Sequence, residues 1–545
     1  MTRSTATDPN VSDRLHSAPM RLGCRPAVAA GLLLALVASA CSSTTRLDSA
    51  TGTLGGFEVA DEEVGIIGLG AGRGADELGV AGGGDPTALG DSTALGDPET
   101  TTGNGTDAGD GARGPGLGGA PAPGTAGGGG GVTAGGGGRA GLVPGGPGVT
   151  DSEILIGVEA AENINQATAV VGAETNNPEE SDVAAALAEW VNANGGMGGR
   201  SVRLVIHEKD VTRGTWEQHA QAACSRFTED TRVFAVISSS VGGNESLASC
   251  LAAKGVPVVE LNYWPFDAEA YRRLGRYLYQ PSRMIPDRYA AAYVDGLVAM
   301  GFFENARIGL IRFDQPVFER MAEAIKARLA VHGLSVVDEQ ATITPRGVSD
   351  FGAMGGQIGN ALISFRSNQV SHVLFAEYNG MLPFLLLNAA EAQGYRPKYG
   401  FQSNNLPETQ ADEQAPQQLA GAMVVGWMPP NDVGMVFDQR GGTYARCLDI
   451  VAGAGGSERG RRLYGGYGCD AFMFLKHALD RASALTASGL EDAVHRLGTS
   501  FDSPFTYATS FFPGRHDGAA AVRYSVYDPQ CQCFRYANDR IDRVA

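Results

Sequence analysis

From about residue 150 onward the apolar positions keep changing their period. "EILIGVEA" (153–160) is a near-continuous apolar run, as a buried strand requires. "SDVAAALAEWVNANGG" (181–196) then sets Val183, Ala186, Leu187, Trp190 and Val191 at helical spacing and stops at Gly195 and Gly196. "SVRLVIHEKD" (201–210) alternates Val202, Leu204 and Ile206 as a strand. The spacing predicts helices around 216–228 and 244–254, with strands at "VFAVIS" (233–238) and "VPVVEL" (256–261). The rhythm repeats over 289–378. There the helix "YAAAYVDGLVAMGF" leads to the strand "ARIGLIRF", a long helix at 317–332 and the strand "SHVLFAEY" (371–378). "GMLPFLLLNAAEAQGY" (380–395) is helical and apolar. Repeated βα units imply an α/β fold of parallel sheets with helices on both faces. In such sheets ligands sit beyond the carboxyl ends of the strands. A folded part from about 150 to 545 is long enough for two lobes, each with its own core.

The chain before 150 reads differently. Arg21 and Arg25 precede an apolar stretch, Ala27 to Ala40, that is too short to span a bilayer, which takes roughly 20 residues. It fits a secretory signal over 1–40, with Met20 as the expected start. Ala38-Ser39-Ala40-Cys41 resembles a bacterial lipobox, whose cysteine is lipidated and becomes the mature N-terminus, although Leu36 is displaced from the usual leucine position. Residues 51–150 hold 36 of the 77 glycines and a single aromatic, Phe57. Such a segment buries too little apolar surface to offset its ordering entropy. Over 41–149 it therefore reads as a disordered tether, spanning on the order of 55 Å as a flexible coil.

Composition and motifs narrow the function. The formal charge is −18, and half of it falls in the glycine-rich tract. An acidic chain lacks the basic patches that nucleic-acid phosphates call for. Gly70-x-Gly72-x-x-Ala75 imitates a dinucleotide fingerprint, but no amphipathic helix or second strand follows it. No zinc-type Cys/His spacing, nucleophile elbow or P-loop occurs, so no catalytic group, metal or cofactor is expected. Of the eight cysteines, six remain beyond Cys41. Cys224 and Cys250 lie on consecutive helices flanking one strand, and Cys447 and Cys469 bracket a loop before a helix. Disulfides 224–250 and 447–469 are expected in an exported protein. A bridge between Cys531 and Cys533, one residue apart, would be strained, which leaves cross-pairing open.

Several stretches carry a specific resemblance. The turn "NANGGMGGR", the polar loop after "FAVIS", "KGVPVV", and later "FAEYNGMLPFLLLNAAEAQGYRPKYGFQS" and "LAGAMVVGWMPP" are similar to the type I periplasmic binding proteins. More narrowly they resemble the branched-chain amino acid and amide solute-binding family of ABC importers. The resemblance covers most of 151–545, more loosely after about 430. It departs at 159–180, a long loop where the family has a short glycine-bearing ligand loop. It implies two doubly wound parallel-sheet lobes joined by three crossovers, near 280–286, 421–428 and 505–515. Lobe one then covers about 150–282 and 425–508, and lobe two about 283–424 and 509–545.

Candidate ligand contacts follow the strand ends. Ser239, Ser240 and Gly242 enter a helix whose free N–H groups suit a carboxylate. Asn262 and Tyr263 follow the next strand. In lobe two the candidates are Gln315, Phe318, Glu377, Tyr378 and Ser403, with Glu377 placed to pair a ligand ammonium. The resemblance implies a monomeric, non-enzymatic lipoprotein on the outer face of the cell membrane. It would capture a small polar solute of amino-acid or amide type and pass it to ABC permease subunits. A sensor of the same fold, reporting to a membrane partner without transport, is the alternative. If Cys41 is the anchor, Cys41→Ala should move the protein from the detergent phase to the aqueous phase on partitioning. A mutant that stays with the membrane would overturn the lipoprotein assignment.

Overall fold

Two parallel sheets carry the fold, and both have the same strand order. The computed structural model describes residues 143–173, 175–238, 245–261, 264–434 and 442–545. The signal segment, Cys41 and nearly all of the glycine-rich tract lie outside these residues. After a two-residue strand, β1 (Val143–Pro144), come β2 (Glu153–Glu162), β3 (Ser201–Asp210), β4 (Ala235–Ser238), β5 (Val258–Glu260) and β6 (Leu278–Tyr279). These five pair in parallel in the order β3-β2-β4-β5-β6. The second sheet starts with β7 (Ile308–Phe313), β8 (Val336–Thr342), β9 (His372–Ala376), β10 (Lys398–Gln402) and β11 (Met423–Gly426). They are also parallel, in the order β8-β7-β9-β10-β11. A short β12 (Ala484–Leu485) pairs with β1. Then β13 (Ala521–Asp528), β14 (Cys533–Tyr536) and β15 (Asp542–Arg543) extend the second sheet in antiparallel fashion beyond β11.

The chain leaves the first sheet after β6 and returns after β11. Helices Thr443–Ile450 and Gly466–Leu479 then pack on helix Glu180–Ala193 of the first sheet. A last passage over 498–520 leads to β13. The first and last connections run together: Gln280 N–H donates to the His516 carbonyl at 3.0 Å, and Gly518 N–H donates to the Gln280 carbonyl at 2.9 Å.

The local reasons are those of buried parallel strands. Ile154, Ile156 and Val158 of β2 are buried, and so is every residue of β4, β5 and β9. Helices cover both faces, so these strands read as apolar runs rather than alternations. Glycine appears where a neighbour comes close: a Cβ on Gly157 would sit 2.9 Å from the Phe227 ring. Among the described residues no helix is long and apolar enough to cross a membrane.

Three features differ from the sequence reading. The segment 159–180 is not a plain loop: β2 runs to Glu162, Asn163 turns left-handed at φ 61°, and helix Ile164–Val170 follows. Helix Phe351–Ser367 and the antiparallel strands β13 to β15 have no counterpart in the predicted elements. Cys531 pairs with Cys533 across the turn between β13 and β14 rather than cross-pairing, while Cys224–Cys250 and Cys447–Cys469 are disulfide-bonded as expected.

The carboxyl edge of the first sheet holds a buried row of charge. Glu159, Ser238 and Glu260 are register partners on β2, β4 and β5. Lys209 Nζ lies 3.1 Å from the Glu159 carboxylate, and Ser238 Oγ donates to it at 2.9 Å. Burial, reinforced by the Glu159 charge, pushes the Glu260 carboxyl up to about 8. A folded-state value above the unfolded one means that Glu260 favours folding fully below its unfolded pKa of about 4.5. That contribution is lost as pH rises through about 8. The unfolding midpoint of Glu260→Gln relative to the native chain should therefore rise steadily from pH 5 to pH 8, read by calorimetry. A difference that does not change with pH would contradict the buried-carboxyl account.

Candidate functional site

In each parallel run the order reverses beside its first strand, between β2 and β4 and between β7 and β9. Ligands of doubly wound sheets bind outside the carboxyl ends at such switch points. A cavity of about 560 Å³ lies there. Its wall is drawn from the residues after β2, β3, β8, β9 and β10, and from the segment 457–467 that packs with the first sheet's helices.

The segment after β2 forms one side. Asn165 folds it back on itself: its Oδ1 accepts from Asn177 N–H at 2.8 Å and from Thr175 Oγ1 at 2.9 Å, and its Nδ2 donates to the Asn177 carbonyl at 3.1 Å. Ser457 N–H donates to the Asn176 carbonyl at 2.7 Å, which ties the segment to the later helices. Ile164 and Ala167 turn inward and join Trp216 in a small apolar cluster, against which Val348 and Tyr464 pack. Trp216 N–H donates to the Arg346 carbonyl at 2.9 Å, a backbone bond between the loop after β3 and the loop after β8.

The opposite side is built by the loop after β9. Glu377 is fully buried, and its oxygens meet only donors: the N–H groups of Asn379 and Gly380 at 2.8 and 2.9 Å, and the side-chain amide of Asn405. Burial pushes its carboxyl up to about 7 while these bonds hold it down. Gly380, at φ 75°, opens helix Met381–Ala392, and a Cβ there would press on Leu406 and the Asn405 carbonyl. Tyr378 lines the cavity. Its ring also packs against Trp264, Phe313 and Phe318, with centroids 5.5 Å apart in each case.

Arg459 is the one charged side chain among the described wall residues, and it lies 3.1 Å from Asp412 and 3.5 Å from Glu413. Arg462 and Glu408 approach to 3.7 Å beside it. Arg320 Nε and Asp267 meet at 2.7 Å, again between the second sheet's helices and the first sheet's loops. These pairs and the Trp216–Arg346 bond join the two halves around the cavity.

The expected contacts fare differently. Ser239, Ser240, Gly242, Asn262 and Tyr263 lie outside the described residues. Tyr378 is in the cavity wall. Phe318 is sealed in the aromatic cluster. Ser403 is buried, and its Oγ accepts from the N–H groups of Trp427 and Met428 at 2.7 and 3.1 Å. Gln315 precedes helix Pro316–Val331 as its cap residue and is not in the wall. Glu377 presents its carboxylate to the loop's own donors. The residues that sequence reasoning missed are those of 164–177 with Trp216, Phe351, Phe384 and Tyr464. The unusual length of 159–180 was the available signal.

A family model described as periplasmic binding protein matches residues 170–529. No curated protein matches the chain. Among solved structures, an ABC transporter substrate-binding protein of Aeropyrum pernix superposes with a TM-score of 0.53 at 13% identity, covering 72% of this chain and 96% of that one. An extracellular ligand-binding receptor of Verminephrobacter eiseniae gives 0.51 at 13%, covering 70% and 100%. A solute-binding protein of an ABC transporter from Rhodopseudomonas palustris, in complex with p-hydroxybenzoic acid, gives 0.52 at 12%, covering 72% and 97%.

The donor set around Glu377 makes a stability prediction. Glu377→Gln puts an amide N–H₂ among donors, which should cost about 1–3 kcal/mol of unfolding free energy in urea. Unchanged stability with a large loss of solute affinity would instead make Glu377 a direct ligand contact.

Proposed function

The chain belongs to the periplasmic binding protein family, and on that premise we propose that it is an extracytoplasmic solute-binding protein, anchored through Cys41, that hands its solute to an ABC importer. The observation that carries the reading is the cavity of about 560 Å³ at the switch points, with walls from the loops of both parallel sheets. A ligand touching both halves stabilises the form in which they meet, because only there are all its contacts made. The cross-cavity ion pairs add little to that form by themselves, because they are part-exposed.

The wall also bears on the class of solute. The volume lies within the range of roughly 300–1,000 Å³ that holds drug-sized ligands, and is generous for a free amino acid. Its lining is dominated by Trp216, Phe351, Tyr378, Met381, Phe384 and Tyr464. No carboxylate stands in the described wall to meet an ammonium, and Arg459 is engaged with Asp412 and Glu413. Neutral polar groups, among them Asn176, Asn379 and Thr409, are left to orient one polar end. The proposed solute thus has an aromatic or branched apolar body and a single polar end. It departs from the small polar amino acid expected from sequence by its larger apolar part.

A thermal-shift screen tests this, since a ligand that binds only the native state raises the melting temperature. Aromatic carboxylic acids and amides should give shifts, whereas glutamine, urea, polyamines and sugars should not. For a solute so found, calorimetry on Phe351→Ala should show about tenfold weaker binding, or ~1.4 kcal/mol. A screen in which only polyamines or cationic amino acids shift the midpoint would overturn the apolar-solute reading.

A further inference from the structure

Away from the cavity, the fold assembles a group with no counterpart in sequence spacing. Helix Ala487–Leu497 carries Glu491 and His495 one turn apart, on the same face. His516 reaches them from the last connection between the sheets. One ligand atom from each of the three lies within 4.8 Å of the other two. The two imidazoles are nearly parallel, with centroids 5.2 Å apart and an interplanar angle of 24°. Their Nε2 atoms face each other at 3.0 Å.

The proton positions follow from the neighbours. His516 Nδ1 lies 3.2 Å from the Gly275 carbonyl, which can only accept, so Nδ1 carries the hydrogen. Its Nε2 therefore presents a lone pair toward His495. This is the arrangement of a metal-ligating histidine, in which the outer N–H is held by a backbone carbonyl that fixes tautomer and ring orientation. Tyr279 packs on the His516 ring at 4.8 Å and steadies it further. The imidazole is buried. Glu491 supplies an oxygen, and its own ion pair with the half-exposed Arg276, at 3.4 Å, is of the weak surface kind.

We propose that Glu491, His495 and His516 form a divalent transition-metal site of the zinc class. Two imidazole nitrogens and one carboxylate oxygen make a donor set that suits Zn²⁺ and leaves a fourth position for water. Bond lengths of about 2.0–2.1 Å place tetrahedral ligand atoms about 3.4 Å apart, so the facing nitrogens need only a small separation. In the metal-free protein the same nitrogens share a hydrogen, donated by His495. On binding, that hydrogen moves to the other ring nitrogen of His495, and both lone pairs turn to the ion. The ion ties helix Ala487–Leu497 to the point where the first and last connections pair, since His516 accepts there from Gln280 N–H.

The test is calorimetry with ZnCl₂ on the untagged full chain stripped with EDTA, run without solute. One Zn²⁺ per chain should bind in the micromolar range or tighter and raise the melting temperature, and Co²⁺ in its place should give visible absorption. His495→Ala should weaken Zn²⁺ at least about 100-fold and abolish the Co²⁺ signal, and Glu491→Gln should weaken it about tenfold. Both positions are only half-buried on a helix, so both variants should keep the native midpoint in EDTA within a few degrees. Absence of saturable binding, or native affinity in both variants, would overturn the site and leave a histidine–histidine hydrogen bond. Neither result bears on the solute screen, which reads the other cavity.

Discussion

In a parallel sheet every strand ends at the same edge, and this directional constraint governs the molecule. Two such sheets with the same strand order each open a crevice where the order reverses. Wherever those edges meet, the loops after several strands converge on one volume. The cavity needs no special device beyond that; it follows from strand polarity. What the chain adds is the choice of side chains on those loops, and here the choice is apolar.

Polar groups at the meeting edges are spent on holding loops rather than left free. Glu377 braces the turn that presents Tyr378, Asn165 folds the segment after β2, and Ser403 holds the backbone of Trp427 and Met428. Deeper in, Arg283 donates to the Leu261 carbonyl at 2.7 Å and lies 4.8 Å from the Tyr467 ring centroid. Asp470 nearby accepts from Ser503 at 2.6 Å, with burial pushing it up to about 7. Leaving such groups without partners would cost a full desolvation penalty each, so they specify one arrangement of the loops. The wall that remains for a ligand is accordingly short of charge.

Helical or strand periodicity made most elements of the two parallel sheets legible. The run 201–210 is β3 from end to end, and the predicted helix at 317–332 is Pro316–Val331 within a residue. The strands β14 and β15 were not legible, because strands of four and two residues resemble loops, and β13, although eight residues long and inside the sheet, sets Arg523 and Ser525 among its apolar positions without a clean period. Within the candidate site, Tyr378 could be placed from its position after an apolar strand. Glu377 occupies the same strand end, and only the surrounding donors reveal what its carboxylate faces. Trp216 and Ile164 give no signal of a shared wall, since 51 intervening positions separate them in the chain.

By itself, the sequence determined the fold class, the rhythm of the sheets and two of the disulfides. Each rests on local information: residue periodicity, turn residues, or cysteines on adjoining elements. Tertiary structure decided which strand-end residues meet across the cavity, which carboxylates are consumed internally, and that His516 joins Glu491 and His495. Those outcomes depend on distances between segments far apart in the chain. Periodicity carries no such distances, because a helix or strand reports which face is buried but not what is buried against it.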